Sequence, residues 1–107
     1  MGTLFYGAAR TAIAVEDRVL RHLEIVATGK LRRGEGFLLS WVNGLDADGR
    51  RSAVWIHPQV DLYYDYERNG VEIDRPLLHL LDTQADSNGG VRLNDGAPVA
   101  NGRASVQ

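Results

Sequence analysis

The chain has no cysteine, and only one lysine among its 107 residues. Without a thiol, disulfides, thiolate nucleophiles, zinc–thiolate centres and iron–sulfur clusters are excluded together. The absence fits a reducing cytoplasm, the compartment expected here. No apolar run approaches the roughly 20 residues that cross a bilayer, so no membrane partner is expected. Met1 to Tyr6 lacks the basic region and apolar stretch of a secretory signal. Tyr6 stands where a myristoylation signal requires Ser or Thr. The net charge of −2 gives no general attraction to nucleic acid or anionic lipid.

What remains is ordinary for one globular domain, with 44% hydrophobic and 24% charged residues. Almost all the positive charge is arginine. A GC-rich genome accounts for such a bias; selection of Arg for bidentate contact to carboxylate or phosphate is the alternative. The charge is also uneven. Residues 1–36 carry a net +2, whereas residues 37–69 and 70–107 each carry −2.

Periodicity places the elements. Thr3–Tyr6 and Thr11–Val15 read as strands joined by a turn beginning at Gly7. Glu16–Arg33 reads as a helix, with Val19, Leu20, Leu23, Val26, Ala27 and Leu31 at helical spacing. Acids at its start and Lys30, Arg32 and Arg33 at its end suit the helix dipole. Phe37–Asn43 and Arg51–His57 form a hairpin around the turn-rich Gly44–Gly49. Val60–Tyr66 alternates, with Val60, Leu62, Tyr64 and Tyr66 on one face and Asp61, Tyr63 and Asp65 on the other. Val71–Ile73 is short and extended. Asp74 caps a second helix with Pro76 in its first turn, and Asn88-Gly89-Gly90 stops it. Val91–Leu93 is a last short strand. The order ββαβββαβ, with short turns between neighbouring strands, implies an α+β two-layer domain: a mostly antiparallel sheet with two helices on one face. The domain is expected to span residues 1–94. Residues 95–107, poor in large apolar side chains, are expected to form a flexible tail.

The segment Thr28–Gly36 is the most suggestive for chemistry, because glycines admit a phosphate and Lys30, Arg32 and Arg33 supply charge. It is not a P-loop, since Leu31 follows Gly29-Lys30 where Ser or Thr is required. Arg18 and Arg21, with His22, Thr28 and Arg32, extend a basic stripe along the first helix, countered by Glu16, Asp17 and Glu24. Arg18, Arg21, Lys30, Arg32 and Arg33 are therefore the candidate phosphate or nucleic-acid contacts. Trp41 and Trp55 lie on the two arms of one hairpin. In one register they stand side by side as core or as a stacking platform. In the other, Phe37 meets Ile56, Leu39 meets Val54, and the indoles point apart. Tyr63, exposed between two acids, and Trp55 are the candidate protein contacts. His22, His57 and His79 show no metal-ligand spacing, and Ser40 with His57 lacks a nucleophile elbow. No catalytic residue, metal or cofactor is expected.

Three segments, Met1–Gly7, Lys30–Glu35 and Val54–Pro58, resemble a family of short actinobacterial proteins of unknown function. Its members often carry the label "ATP-dependent DNA ligase", and the similarity covers roughly residues 1–94. The label implies adenylation of a lysine. A ligase does this at a Lys-x-Asp-Gly motif, but Lys30 is followed by Leu31, Arg32 and Arg33. A nucleotidyltransferase core also needs about twice this length to enclose ATP and position the lysine. The leading expectation is thus a non-catalytic module that binds a protein partner or a second copy of itself. A nucleic-acid-binding accessory protein in DNA repair is the alternative, and a ligase-type enzyme the third reading.

Overall fold

The computed structural model describes residues 1–42 and 49–99. The elements run β1 (Gly2–Tyr6), β2 (Thr11–Val15), α1 (Asp17–Arg32), β3 (Phe37–Val42), β4 (Arg51–Ile56), β5 (Leu62–Asp65), α2 (Arg75–Ala85), β6 (Val91–Asn94) and β7 (Ala97–Pro98). The class is α+β, and the order ββαβββαβ is followed through β6. Most of the turn-rich β3–β4 connection and residues 100–107 of the expected tail lie outside the described residues.

The strands divide between two sheets. One has the order β2-β1-β5, and the other the order β4-β3-β6-β7. Pro58 ends the β4 segment, and β5 pairs with β1 instead of continuing beside β4. Alternation had marked β5 as half-buried, but alternation names a face and not a neighbour. Its faces are as read: Leu62 and Tyr64 are half-buried against the core, while Tyr63 and Asp65 are exposed. The second sheet contains a parallel pair, β3 with β6, in the register Leu39↔Val91 and Trp41↔Leu93. The intervening β4, β5 and α2 form the long connection that parallel neighbours require.

Beyond residue 94 the chain turns at Asp95 and Gly96, both at positive φ (52° and 84°), and adds β7 beside β6. A two-residue turn with positive φ at both positions matches the right-handed strand twist, which is why Asp-Gly favours it. Gln84 Nε2 then donates to the Val99 carbonyl (2.7 Å).

A single core joins the layers. Leu4, Ile13 and Val15 from the first sheet and Phe37, Leu39, Ile56, Val91 and Leu93 from the second pack with Leu20 and Leu23 of α1 and Leu81 of α2. Three polar side chains tie the connections to this core. Asp17 accepts the backbone N–H groups of Glu67 (3.1 Å) and Arg68 (3.0 Å), which anchors the end of β5 to the start of α1. His22 is fully buried. Its Nδ1–H donates to the Arg18 carbonyl and its Nε2 accepts the Asp74 N–H, both at 2.7 Å, so the ring holds the Nδ1–H tautomer. Tyr6 Oη donates to the Trp55 carbonyl (2.6 Å) and bridges the two sheets.

Candidate functional site

Four of the six basic residues of the first third are held by carboxylates. Arg18 pairs with Asp74, and Arg21 with Glu24 (3.5 Å). Glu24 also accepts from Tyr66 Oη (2.5 Å). Lys30 is buried, and its Nζ lies 2.5 Å from Asp86 and 3.3 Å from Glu35. Arg33 reaches the same Glu35 (3.3 Å). Arg32 is exposed at the end of α1. His22, read on the exposed stripe, is instead in the core. A phosphate at Arg18, Arg21, Lys30 or Arg33 would have to displace a carboxylate. The Asp86 hydrogen bond, reinforced by Glu35, raises the Lys30 pKa and keeps the ammonium protonated, the opposite of what a nucleophilic amine needs. The helix periodicity placed Lys30 near the chain's basic end; only the positions of α2 and the Gly34 turn reveal its partners.

These pairs carry a pH signature. The Leu77 N–H and Arg18 lower the pKa of Asp74; Arg33 and Lys30 lower that of Glu35; Lys30 lowers that of Asp86. A carboxylate depressed in the folded state contributes stability above its unfolded pKa and loses it as pH falls through the folded value. Urea midpoints should therefore hold nearly constant between about pH 5 and pH 7 and fall progressively below about pH 4, where unfolded carboxylates titrate. In Asp86→Asn that acid slope should be shallower. An unchanged slope in Asp86→Asn would show that the Lys30–Asp86 pair does not form.

The protein-contact candidates lie on different sheets. Phe37 pairs with Ile56 and Leu39 with Val54, so the tryptophans point apart. Trp41 is half-buried, and Trp55 is 55% exposed on the outer face of the second sheet. Tyr63 is 55% exposed on the first sheet, edge-on to Phe5 (6.0 Å, 68°), with the Arg10 guanidinium 4.4 Å from the Phe5 ring centre and 5.1 Å from that of Tyr63. Arg10 thus covers a pair of rings on an otherwise open sheet face.

Beside this face β2 is an edge strand, paired only with β1 among the described residues. The Gly7 N–H donates to the Asp61 carbonyl (2.8 Å), one step beyond the Tyr6↔Leu62 pair. Antiparallel alternation then turns the backbone of Thr3 and Phe5 toward β5, and that of Gly2, Leu4 and Tyr6 toward β2. Within β2, Ile13 faces β1, whereas Ala12 and Ala14 present their N–H and C=O groups outward. Glu16, next in the alternation, gives its N–H across that edge to the Gly96 carbonyl (3.0 Å). A cleft of about 500 Å³ adjoins the edge, bounded by Thr3, Ala12 and Ala14 on one side and Trp41, Val42 and Gly96 on the other. Thr11–Val15 carries no charge and no proline, the usual protections of an edge strand.

Two residues not singled out from the sequence share the outer face with Trp55. Arg51 donates to Ser40 Oγ (2.8 Å) and Asn94 Oδ1 (2.7 Å), and Arg92 stands beside Ser40 on β6. Both partners of Arg51 are neutral. Knowledge of the strand order is needed to bring the two arginines together. Ser40 and His57 are separately engaged, the second accepting the Gln59 N–H (3.3 Å). Among the described residues no group of His, Asp and Glu is arranged to hold a metal, and no helix is long and apolar enough to cross a membrane.

Two helices on two sheets, each sheet exposing an aromatic outward, define a small α+β domain. The chain belongs to the family described as a domain of unknown function, DUF7882, whose model matches residues 1–96. No curated protein and no solved structure matches it.

Proposed function

We propose that the chain is a non-catalytic protein-binding module, and that the edge of β2 receives an extended segment of its partner. The observation that supports this reading is the pair Ala12 and Ala14, whose outward backbone groups border a cleft walled by Trp41. An added strand gains main-chain hydrogen bonds from such an edge, and a neighbouring pocket supplies side-chain selectivity. The methyl groups of Ala12 and Ala14 leave room for alternate side chains of the incoming segment against the indole. Arg10 at one end of β2, and Glu16 and Asp95 at the other, favour a segment with an acid toward Arg10 and a base toward Glu16. A second copy of the chain is one such partner.

The test is Ala14→Pro. The Ala14 N–H points away from β1, so proline removes no internal ladder bond and is tolerated on an edge. Size-exclusion chromatography with light scattering and affinity capture from native lysate should show association by the parent chain. Ala14→Pro should lose it at least tenfold, with an unchanged circular dichroism spectrum. A strictly monomeric parent that captures nothing, or capture that survives Ala14→Pro, overturns the proposal.

A further inference from the structure

The outer face of the second sheet brings two arginines without carboxylate partners beside an exposed indole, unlike the paired bases of the first helix. Leu38, Ser40 and Val42 of β3 point away from the core, paired with Trp55, Ala53 and Arg51 of β4. On the other side Ser40 pairs with Arg92 and Val42 with Asn94. The face therefore reads, from one end to the other, as an indole beside Leu38, then Arg92 beside Ser40, then Arg51 beside Asn94. Arg18, Arg21, Lys30 and Arg33 each have a carboxylate partner. Among the described residues neither Arg51 nor Arg92 has one. Arg51 is pinned over β3 by two neutral oxygens. Its pKa is lowered by burial and then by the like charge of Arg92, so the two guanidinium groups feel each other without compensation. An anion between them would relieve that repulsion.

The geometry points to a single strand of nucleic acid as the ligand of this face, with one base stacked on Trp55 and the adjoining phosphates held by Arg92 and Arg51. Trp55 and Arg51 are four residues apart along β4, roughly 13 Å at about 3.3 Å per residue. That span suits two or three nucleotides. An exposed indole next to uncompensated guanidinium groups is the combination that binds single strands without reading sequence, since every base has a π-face and every linkage a phosphate. An acidic peptide would satisfy the arginines but would leave the indole without a flat partner. A duplex would offer phosphates but no unstacked base. This surface lies on the other sheet from the β2 edge, so either can exist without the other.

The probe is a ten-residue oligothymidylate carrying a terminal fluorophore, titrated against the full chain at low salt and followed by anisotropy in every variant and by tryptophan fluorescence in those that keep Trp55. Quenching is expected. The logarithm of the binding constant should fall against the logarithm of salt with a slope near −1.4, about −0.7 for each of two phosphates. Arg92→Ala, an exposed position with no described partner, should weaken binding about tenfold with an unchanged melting temperature. Trp55→Phe should retain most of the affinity, and Trp55→Ala should lose roughly tenfold. Absence of binding at low salt overturns the assignment. So does competition by polyglutamate equal to that of the oligonucleotide, which would mark an acidic-protein surface. Full affinity in Arg92→Ala with loss in Arg18→Ala/Arg21→Ala would return the ligand to the first helix, and overturns it as well.

Discussion

Gly90→Ala is expected to destabilise the fold by about 4 kcal/mol or more, a large share of the roughly 5–15 kcal/mol that holds a small domain together. Gly90 sits just before β6 at φ 69°, where an L side chain is already strained by about 1 kcal/mol. The larger cost is contact. A Cβ there would lie 2.1 Å from the Leu38 carbonyl oxygen and 2.7 Å from its carbon. Both are backbone atoms of the central strand of the second sheet, so they cannot swing aside as a surface side chain can. Either β6 shifts, breaking the Leu39↔Val91 register that fills the core, or β3 does. At roughly 4–8 °C per kcal/mol for a domain of this size, the melting temperature should fall by at least about 15 °C. The neighbouring glycine is the control. A Cβ at Gly89 meets nothing closer than Arg92 Cδ at 4.0 Å. Gly89→Ala should therefore stay within about 0.5 kcal/mol of the parent. Equal losses at the two positions would show that the helix stop, and not the approach of β6 to β3, demands the glycine.

His22→Leu should cost about 2–4 kcal/mol, although leucine is the better core residue by hydropathy. The ring is not filling space alone. Its Nε2 accepts the backbone N–H of Asp74, the residue that caps α2 through Oδ1 to the Leu77 N–H (3.1 Å). Leucine would leave the Asp74 N–H without its acceptor where α1 and α2 meet, and would also remove the bond to the Arg18 carbonyl. Urea denaturation at neutral pH measures the loss. If His22→Leu matched the parent, the Asp74 N–H would have another acceptor, and the histidine would be replaceable packing. The cap gives a second readout, since Asp74→Ala alone should cost about 1 kcal/mol. The two changes should not add, because both act on one helix start.

The element pattern was legible because it rests on local spacing. Val19, Leu20, Leu23 and Val26 mark α1, and Val60 to Tyr66 marks one strand face, whatever lies next to them. Partners were not legible. The hairpin register that separates Trp41 from Trp55 depends on which residues end the β3–β4 connection. The division into two sheets depends on β5 reaching β1. The Asp95-Gly96 turn was readable in principle, as an Asp-Gly pair after a short strand, and it places β7 beside β6. Among the candidate contacts, exposure of Tyr63 followed from alternation along its strand, whereas that of Trp55 depends on the hairpin register, which the residues left open. The basic stripe was misleading for a physical reason. Charge counted along one helix cannot register a carboxylate delivered from another element, and Asp74 and Asp86 both arrive from the two ends of α2. Arg51 and Arg92, far apart in sequence, come together through the β4-β3-β6 strand order.

The parallel pairing of β3 with β6 also sets an order of events. Val42 and Asn94 are neighbours in the sheet, yet β4, β5 and α2 are threaded between them. The first sheet likewise waits for β5 before β1 gains its second neighbour. Three of the five strand pairings are local hairpins, and only β1–β5 and β3–β6 require closure of a long loop, so the hairpins can form before the two sheets are completed. On the ribosome, a nascent chain that has emerged only through α2 would carry both Trp-bearing strands with one flank of β3 bare. The second sheet gains its inner neighbour for β3 only when Val91–Asn94 dock, so a strand synthesised near the end of the described chain completes the layer begun by the β3–β4 hairpin.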